Sequence, residues 1–229
     1  MLVHGLAGSS RWWRPSVPEL AARHRVLLLD LPGFGRHRGR RFSLAETPSF
    51  LADWLDALAL GPVHLVGHSM GGLVAARLAA RRPETVRRLV LVAPAAVGGQ
   101  RTLLGHARPL GEAAGRSSLA FLTVLALDAA RAGPRTVWKA ARELVADVDL
   151  VADLRAITAP TLLVWGERDG LVPPELADAF LREIPDARLV VLPQAGHVPM
   201  FEKPDAFGRA VLEFLGEPSQ GGAEPLPAA

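Results

Sequence analysis

Short apolar runs alternate with helical segments along this chain of 229 residues, and the alternation constrains the fold more than any other feature. Continuous apolar runs suit parallel strands that are buried on both faces of a sheet. The predicted strands are Val26–Asp30, Val63–His68, Leu89–Ala93, Thr161–Trp165 and Leu189–Leu192. The predicted helices are Pro18–Arg23, Leu44–Leu58, Gly72–Arg81, Pro174–Arg182 and Pro204–Leu215. The sequence therefore predicts an α/β fold whose mostly parallel sheet carries helices on both faces.

One long segment interrupts this alternation. Residues 98–155 contain no strand-like run and are rich in Ala, Leu and Arg. We expect them to form a small helical cap, inserted into a core made of residues 1–97 and 156–215. Gly98-Gly99 and Thr158-Ala159-Pro160 would be its hinges, although helices packed on the sheet without gating a site fit the same pattern. Residues 216–229 have the composition of a linker and are predicted to be disordered.

Composition excludes several classes of function. The chain has no Cys, which rules out disulfides, thiolate metal sites and thiol catalysis. The pI of 10.4 reflects a small Arg excess with no Tyr or Cys to titrate at high pH. Because the formal charge is only +3, a nucleic-acid partner is not expected. The densest basic run, Arg36–Arg41, has no interleaved aromatic residues and is interpreted as a solvated loop.

The remaining whole-chain features predict a cytoplasmic protein without a membrane partner, either a monomer or a homodimer. The first residues lack a charged start followed by a long apolar stretch. The longest apolar run, Leu119–Leu127, is about half of what a membrane span needs. The histidines and carboxylates show no spacing that suits a metal, so we expect neither a metal nor a cofactor.

A serine lies in a glycine-rich turn between a predicted strand and a predicted helix. The turn reads Gly67-His68-Ser69-Met70-Gly71-Gly72. A serine on a sharp strand-to-helix turn is strained, and side chains two residues before or after it would clash. The G-x-S-x-G pattern in this context therefore predicts that Ser69 is a catalytic nucleophile.

A candidate acid and a candidate base follow the serine in the chain order that a Ser-Asp-His triad requires. Asp169 comes after the strand Thr161–Trp165, and His197 comes after Leu189–Leu192. Both positions fall at carboxyl ends of strands, where open α/β sheets place their sites. His197 would take the proton of Ser69, and Asp169 would orient the imidazole. Glu167 is the rival acid, but the turn Asp169-Gly170 favours Asp169.

A small-residue turn near the start of the chain is a candidate oxyanion hole. The segment His4-Gly5-Leu6-Ala7-Gly8-Ser9 follows a strand end, and its backbone can approach a substrate oxygen closely. The backbone N–H groups of Leu6 and Met70 are the predicted oxyanion donors.

Four residues near this turn and the serine are candidates for shaping the substrate site. His4 and Gly5 would shape the oxyanion turn. His68 would line the pocket or point into the fold. Trp12 would form a wall on the acyl side of the pocket, or be buried in a helix.

These motifs together resemble the α/β-hydrolase superfamily, in the branch of small serine esterases and C–C-bond hydrolases. The matching pieces are HG-x-x-GS at residues 4–9, DLPGFG at 30–35, GHSMGG at 67–72, WGERDGLVP at 165–173 and AGHVPMFEKP at 195–204. The resemblance implies the α/β-hydrolase fold, a triad of Ser69, Asp169 and His197, and a cap made by the insertion. Members with a carboxylate nucleophile are disfavoured by Ser69.

The resemblance implies a serine hydrolase that acts on a small-molecule acyl compound, such as a carboxylic ester, through an acyl-enzyme. Two alternatives are the hydrolysis of a C–C bond in a ring-cleavage ketone acid and a vestigial, non-catalytic fold. The family's usual strand hairpin before the HG turn is not present in the sequence. We expect a start codon assigned too late or a shortened variant, with Val26–Asp30 at the sheet edge in either case.

Overall fold

The computed structural model describes residues 1–95, 118–146 and 150–216. Within them the chain forms a six-stranded sheet in which every neighbouring pair is parallel. The strands are β1 (Leu2–Val3), β2 (Leu28–Leu29), β3 (Val63–His68), β4 (Val86–Val92), β5 (Thr161–Gly166) and β6 (Ala187–Leu192). The predicted α/β-hydrolase fold is confirmed.

Helices cover both faces of the sheet. They are α1 (Val17–Ala21), α2 (Thr47–Ala57), α3 (Met70–Arg81), α4 (Leu119–Ala132), α5 (Pro134–Ala146), α6 (Val151–Arg155), α7 (Ala177–Glu183), α8 (Pro199–Glu202) and α9 (Pro204–Gly216). Successive residues of a strand point to opposite faces. In β3, Leu65 accordingly packs in one hydrophobic cluster with α2 and α3, while Val66 packs in a second cluster with α1 and α9.

The strand order β2-β1-β3-β4-β5-β6 places a reversal of direction between β1 and β3. From β1 the chain moves outward to β2, and it then crosses back to add β3 on the other side. In open α/β sheets the crevice at such a reversal, outside the carboxyl ends of the strands, is where ligands bind. The loops that leave β1 and β3 are the turn His4–Ser9 and the turn around Ser69.

Strands β4 and β6 begin earlier than predicted, because arginines precede the apolar runs on which their predicted starts were based. Strand β4 begins at Val86, before the predicted Leu89, and contains Arg88. Strand β6 contains Arg188. Both guanidinium groups lie over the ring of Phe214, at 5.1 and 5.3 Å from its centroid, so their charge meets a π face.

The edge strand β2 is shorter than the predicted Val26–Asp30, although it does lie at an edge of the sheet. Leu28 is 37% exposed there. The 3₁₀ helix Ser10–Ser16, which precedes α1, was not predicted; Pro15 lies inside it.

The described part of the insertion consists of helices. Helices α4 and α5 pack against each other, whereas α6 packs against α3 of the core and contributes Leu154 to the main hydrophobic cluster. The predicted hinge Gly98-Gly99 lies outside the described residues, and so do residues 217–229 of the tail that was predicted to be disordered. Gly216, the first residue of that predicted tail, is the last residue of helix α9. In the described ranges, no helix is both long and apolar enough to cross a membrane.

Candidate active site

Ser69 occupies a strained backbone conformation between β3 and α3. Its φ is 52° and its ψ is −119°, a region that residues other than Gly rarely adopt. The flanking glycines are required sterically. A Cβ on Gly67 would lie 2.4 Å from the carbonyl oxygen of Gly71, and one on Gly71 would lie 2.4 Å from that of His4. The predicted sharp turn is therefore present, with its serine at the carboxyl edge of the sheet.

Asp169 and His197 meet at the same edge. The Nδ1 atom of His197 donates to Oδ2 of Asp169 over 2.8 Å. The other carboxylate oxygen, Oδ1, accepts the backbone N–H groups of Leu171 and Val172, each at 2.9 Å. Because Nδ1 carries the proton, Nε2 of a neutral His197 has a free lone pair and can accept a proton.

The rival acid does not reach His197. Oε2 of Glu167 accepts the backbone N–H of Gln194 at 2.9 Å, on the exposed side of the loop. The Asp169 side chain is fully buried against the imidazole. The structure thus pairs Asp169, and not Glu167, with the histidine.

His68 connects the turn of Ser69 to the loop of His197. Its Nε2 lies 2.8 Å from the carbonyl oxygen of His197, which can only accept, so Nε2 carries the proton. The two imidazole rings are 4.8 Å apart, centroid to centroid. Burial lowers the pKa of His68 well below its ordinary value of 6.5, which keeps the ring neutral. His68 therefore points into the fold, one of the two placements left open by the sequence, and holds the backbone of His197.

The turn after β1 is fixed by His4. The backbone N–H of Leu31 donates to Nε2 of His4 over 3.0 Å, so the proton lies on Nδ1, which donates to the carbonyl oxygen of Gly5 over 2.8 Å. The same carbonyl accepts the N–H of Gly8 at 3.2 Å. In a trans peptide the N–H points opposite to the C=O. The N–H of Leu6 is consequently directed away from these partners and is available as a donor.

The second predicted donor is at the start of helix α3. Met70 is the first residue of that helix, where backbone N–H groups have no acceptor within the helix. The dipole of a helix favours negative charge at this end. The turn after β1 lies directly against it, because a Cβ on Gly5 would be 3.2 Å from the Cβ of Ser69. The structure thus brings the segments of Leu6 and Met70 together around the serine.

Trp12 packs between the site and the insertion. Its ring centroid lies 5.7 Å from that of His68 and 5.0 Å from that of Phe121 on helix α4. The side chain is buried within the second hydrophobic cluster, so Trp12 supports the site as a packing residue. Phe121 extends the contact to Phe201 of helix α8, with the centroids 5.2 Å apart.

Asp30 is a residue of the site region that the sequence analysis missed. Its carboxylate accepts the backbone N–H groups of Ser10, at 2.6 Å, and Arg36, at 2.9 Å. Burial raises the pKa of Asp30, but the hydrogen bonds from Ser10 and Arg36, together with the nearby imidazole of His4, lower it, and the net shift is downward. The signal was present in the sequence, since an acidic residue directly after an apolar strand needs backbone donors. Among the described residues no group of three His, Asp or Glu side chains could hold a metal ion.

The buried histidines make stability depend on pH. Burial lowers the pKa of His4 and of His68, and it lowers the pKa of His64 to about 4. Below their ordinary pKa of about 6.5 the unfolded chain therefore binds more protons than the folded chain. We expect the free energy of unfolding to fall as the pH drops from about 6.5 towards about 4.

Urea denaturation across that pH range measures how steeply the free energy of unfolding changes with pH. His68→Gln removes one of the depressed groups and keeps a donor for the carbonyl of His197, so it is expected to flatten the slope. A slope that this variant leaves unchanged would contradict the assignment of His68 as a buried neutral group.

Comparison with known proteins identifies the family. The profile of the Alpha/beta hydrolase family matches residues 1–210. The chain belongs to the alpha/beta hydrolase family. Its curated relatives include a pimeloyl-[acyl-carrier protein] methyl ester esterase from Aeromonas hydrophila, which is 32% identical over 94% of this chain and 94% of the relative. A thermophilic esterase from Thermogutta terrifontis superposes with a TM-score of 0.79 at 28% identity, over 93% of this chain and 88% of the other.

Another relative is longer than this chain. The dihydrolipoyllysine-residue acetyltransferase component of an acetoin cleaving system, from Pseudomonas putida, is 35% identical over 94% of this chain, which spans 62% of that relative. Membership of the family and the similarity to esterases support an enzyme that hydrolyses ester or related substrates.

Proposed function

We propose that this chain is a serine hydrolase of carboxylic esters that works through Ser69, His197 and Asp169. The observation that carries the proposal is the hydrogen bond from His197 Nδ1 to the buried carboxylate of Asp169, 2.8 Å long, at the sheet edge that also holds Ser69. A strained serine backbone is retained only where the surrounding structure enforces it, and such strain clusters at functional sites. The strain at Ser69 favours an active enzyme over a vestigial fold.

The reaction begins when the hydroxyl oxygen of Ser69 attacks the ester carbonyl. Nε2 of His197 takes the hydroxyl proton, and the carboxylate of Asp169 stabilises the resulting imidazolium. The N–H groups of Leu6 and Met70 would donate to the oxyanion of the tetrahedral intermediate. One such donor contributes about 3–4 kcal/mol to transition-state stabilisation.

The second half of the reaction restores the enzyme. The protonated His197 gives its proton to the leaving alkoxide, which departs as the alcohol and leaves an acyl-Ser69 ester. A water molecule then loses a proton to His197 and attacks this ester, and the carboxylic acid leaves as Ser69 is reprotonated. A small-molecule acyl substrate is sufficient for both halves.

Helices α4 and α5 would form the described part of a cap over this site. Phe121 of α4 contacts Trp12, which lies three residues beyond Ser9, the last residue of the oxyanion turn. Substrate selection would then depend on the insertion, because its helix α4 contacts the segment that follows the oxyanion turn.

The substrate class can be tested by comparing esters with ring-cleavage ketone acids. A C–C hydrolase needs a cation for the carboxylate of its substrate, and the guanidinium that follows the oxyanion turn, Arg11, is already ion-paired with Asp128. We therefore expect p-nitrophenyl esters of increasing acyl length to be turned over with a higher kcat/KM than a dienoic ketone acid. A higher kcat/KM for the ketone acid would contradict the ester assignment.

A further inference from the structure

Helix α4 of the insertion carries one buried carboxylate, and that carboxylate binds the oxyanion turn of the core. Asp128 is 2% exposed. Its Oδ2 accepts the hydroxyl proton of Ser9 over 2.7 Å, and its Oδ1 forms an ion pair with the guanidinium of Arg11. Burying a charge is costly unless hydrogen bonds and an opposite charge compensate it. Both compensating groups come from the segment that follows β1, far away in the sequence.

Ser9 ends the turn and also caps the following 3₁₀ helix, and its hydrogen bond to Asp128 orients the hydroxyl for both roles. It is the last residue of the turn that starts at His4, and it is the N-cap of the 3₁₀ helix Ser10–Ser16, where its oxygen accepts the backbone N–H of Arg11 at 3.3 Å. A hydroxyl has one proton to donate. Because Ser9 donates that proton to Asp128, the lone pairs of its oxygen remain available to accept the N–H of Arg11. The hydroxyl is thereby held in one rotamer.

The turn is held at three points. His4 holds the carbonyl of Gly5, and Asp30 accepts the N–H of Ser10 at 2.6 Å, so these two anchors belong to the core. The third anchor, the hydroxyl of Ser9, is held by Asp128 from the insertion. The N–H of Leu6 shares a peptide unit with the Gly5 carbonyl of the first anchor, and Asp128 holds the other end of the same turn at Ser9.

A second contact between the insertion and the core provides a matched comparison. On helix α5, Glu143 accepts the backbone N–H of Leu44 at 2.8 Å and pairs with Lys139 at 3.2 Å. Lys139 also donates to the carbonyl of Phe42. This contact attaches the insertion to the loop after β2 and does not touch the turn after β1. Removing it loosens the insertion without removing an anchor of the turn.

We propose that Asp128 is a positioning residue through which helix α4 sets the geometry of the oxyanion turn. The proposal rests on the serine-hydrolase function proposed above. It makes docking of the insertion a condition for transition-state stabilisation as well as for substrate binding. Loss of the third anchor lets Leu6 move away from the oxyanion, and removal of one oxyanion donor costs about 10²–10³ in kcat. A displaced donor should cost part of this.

The test compares four single variants and one double variant, Asp128→Ala with Ser9→Ala, in steady-state hydrolysis of one short p-nitrophenyl ester. Asp128→Ala is expected to lower kcat by about 10- to 100-fold, with a much smaller change in KM. Ser9→Ala should reproduce the loss, and the double variant should be no worse than the more impaired single variant, because both act on one anchor. Asp128→Asn keeps an acceptor for Ser9 and should recover most of kcat. Glu143→Ala should leave kcat within about twofold of wild type.

Thermal unfolding of each variant separates positioning from loss of structure. If Asp128→Ala does not fold, the comparison of Ser9→Ala and Asp128→Asn with Glu143→Ala still decides the question. Equal losses of kcat in Asp128→Ala and Glu143→Ala, or an unchanged kcat in Ser9→Ala and Asp128→Ala, would overturn the proposal. A wild-type protein without Ser69-dependent turnover would instead contradict the proposed function, and this inference with it.

Discussion

Ser69→Ala should lower the turnover of short p-nitrophenyl esters by about 10⁵- to 10⁶-fold, since nothing else in the proposed mechanism forms the acyl bond. Any residual rate would come from the oxyanion donors and from binding. The measurement is steady-state kcat against wild type on protein whose circular dichroism and thermal midpoint show a folded state. Ser49→Ala, on the exposed face of helix α2, is the matched control and should keep full activity.

Ser69→Gly separates chemistry from strain at the same position. With φ at 52°, the backbone of residue 69 is costly for any side chain and acceptable for Gly. We expect this variant to be as inactive as Ser69→Ala but more stable than it, by about 1 kcal/mol. Turnover retained by both variants would remove Ser69 from the mechanism.

Asp169→Asn should lower kcat about 10⁴-fold while leaving the fold intact. The N–H groups of Leu171 and Val172 bind Oδ1, so the amide oxygen of an asparagine would take that place. Its NH₂ group would then face His197 and donate to Nδ1. The imidazole would be forced into the tautomer with the proton on Nε2, where it cannot accept the proton of Ser69.

Glu167→Gln is the control for this prediction. Glu167 is the other acid of the same loop, and it accepts only the backbone N–H of Gln194 in the described structure. Its replacement should change kcat by less than about twofold, because Gln keeps an acceptor. A larger loss of kcat in Glu167→Gln than in Asp169→Asn would show that Glu167, and not Asp169, is the acid of the triad.

Local motifs explain why so much of the candidate site could be predicted from the sequence. The turn around Ser69 depends on contacts between near neighbours, such as Gly67 with Gly71, and a pattern of five residues captures them. Asp169 follows the buried strand β5 and His197 follows the edge strand β6. Parallel strands bring their carboxyl ends to one edge whatever their separation in the chain. The turn Asp169-Gly170 also favoured Asp169 over Glu167, and in the structure it is Asp169 whose carboxylate pairs with His197.

Features that depend on distant partners could not be predicted. Arg88 and Arg188 interrupt apolar runs and so concealed the true starts of β4 and β6, and only the fold reveals that both stack on Phe214. Asp128 ends an apolar run on helix α4, and its isolation there hinted at a buried partner. The partner itself, Ser9, is 119 positions away in the sequence, so no local pattern could identify it.

The central claim, that Ser69 is the nucleophile, is tested most directly by labelling the folded protein with a fluorophosphonate and mapping the adduct by peptide mass spectrometry. The account predicts stoichiometric modification of the peptide that contains Ser69, no modification in Ser69→Ala, and strongly slowed labelling in Asp169→Asn. An adduct on another serine, or folded protein that remains unlabelled while it still hydrolyses esters, would contradict it.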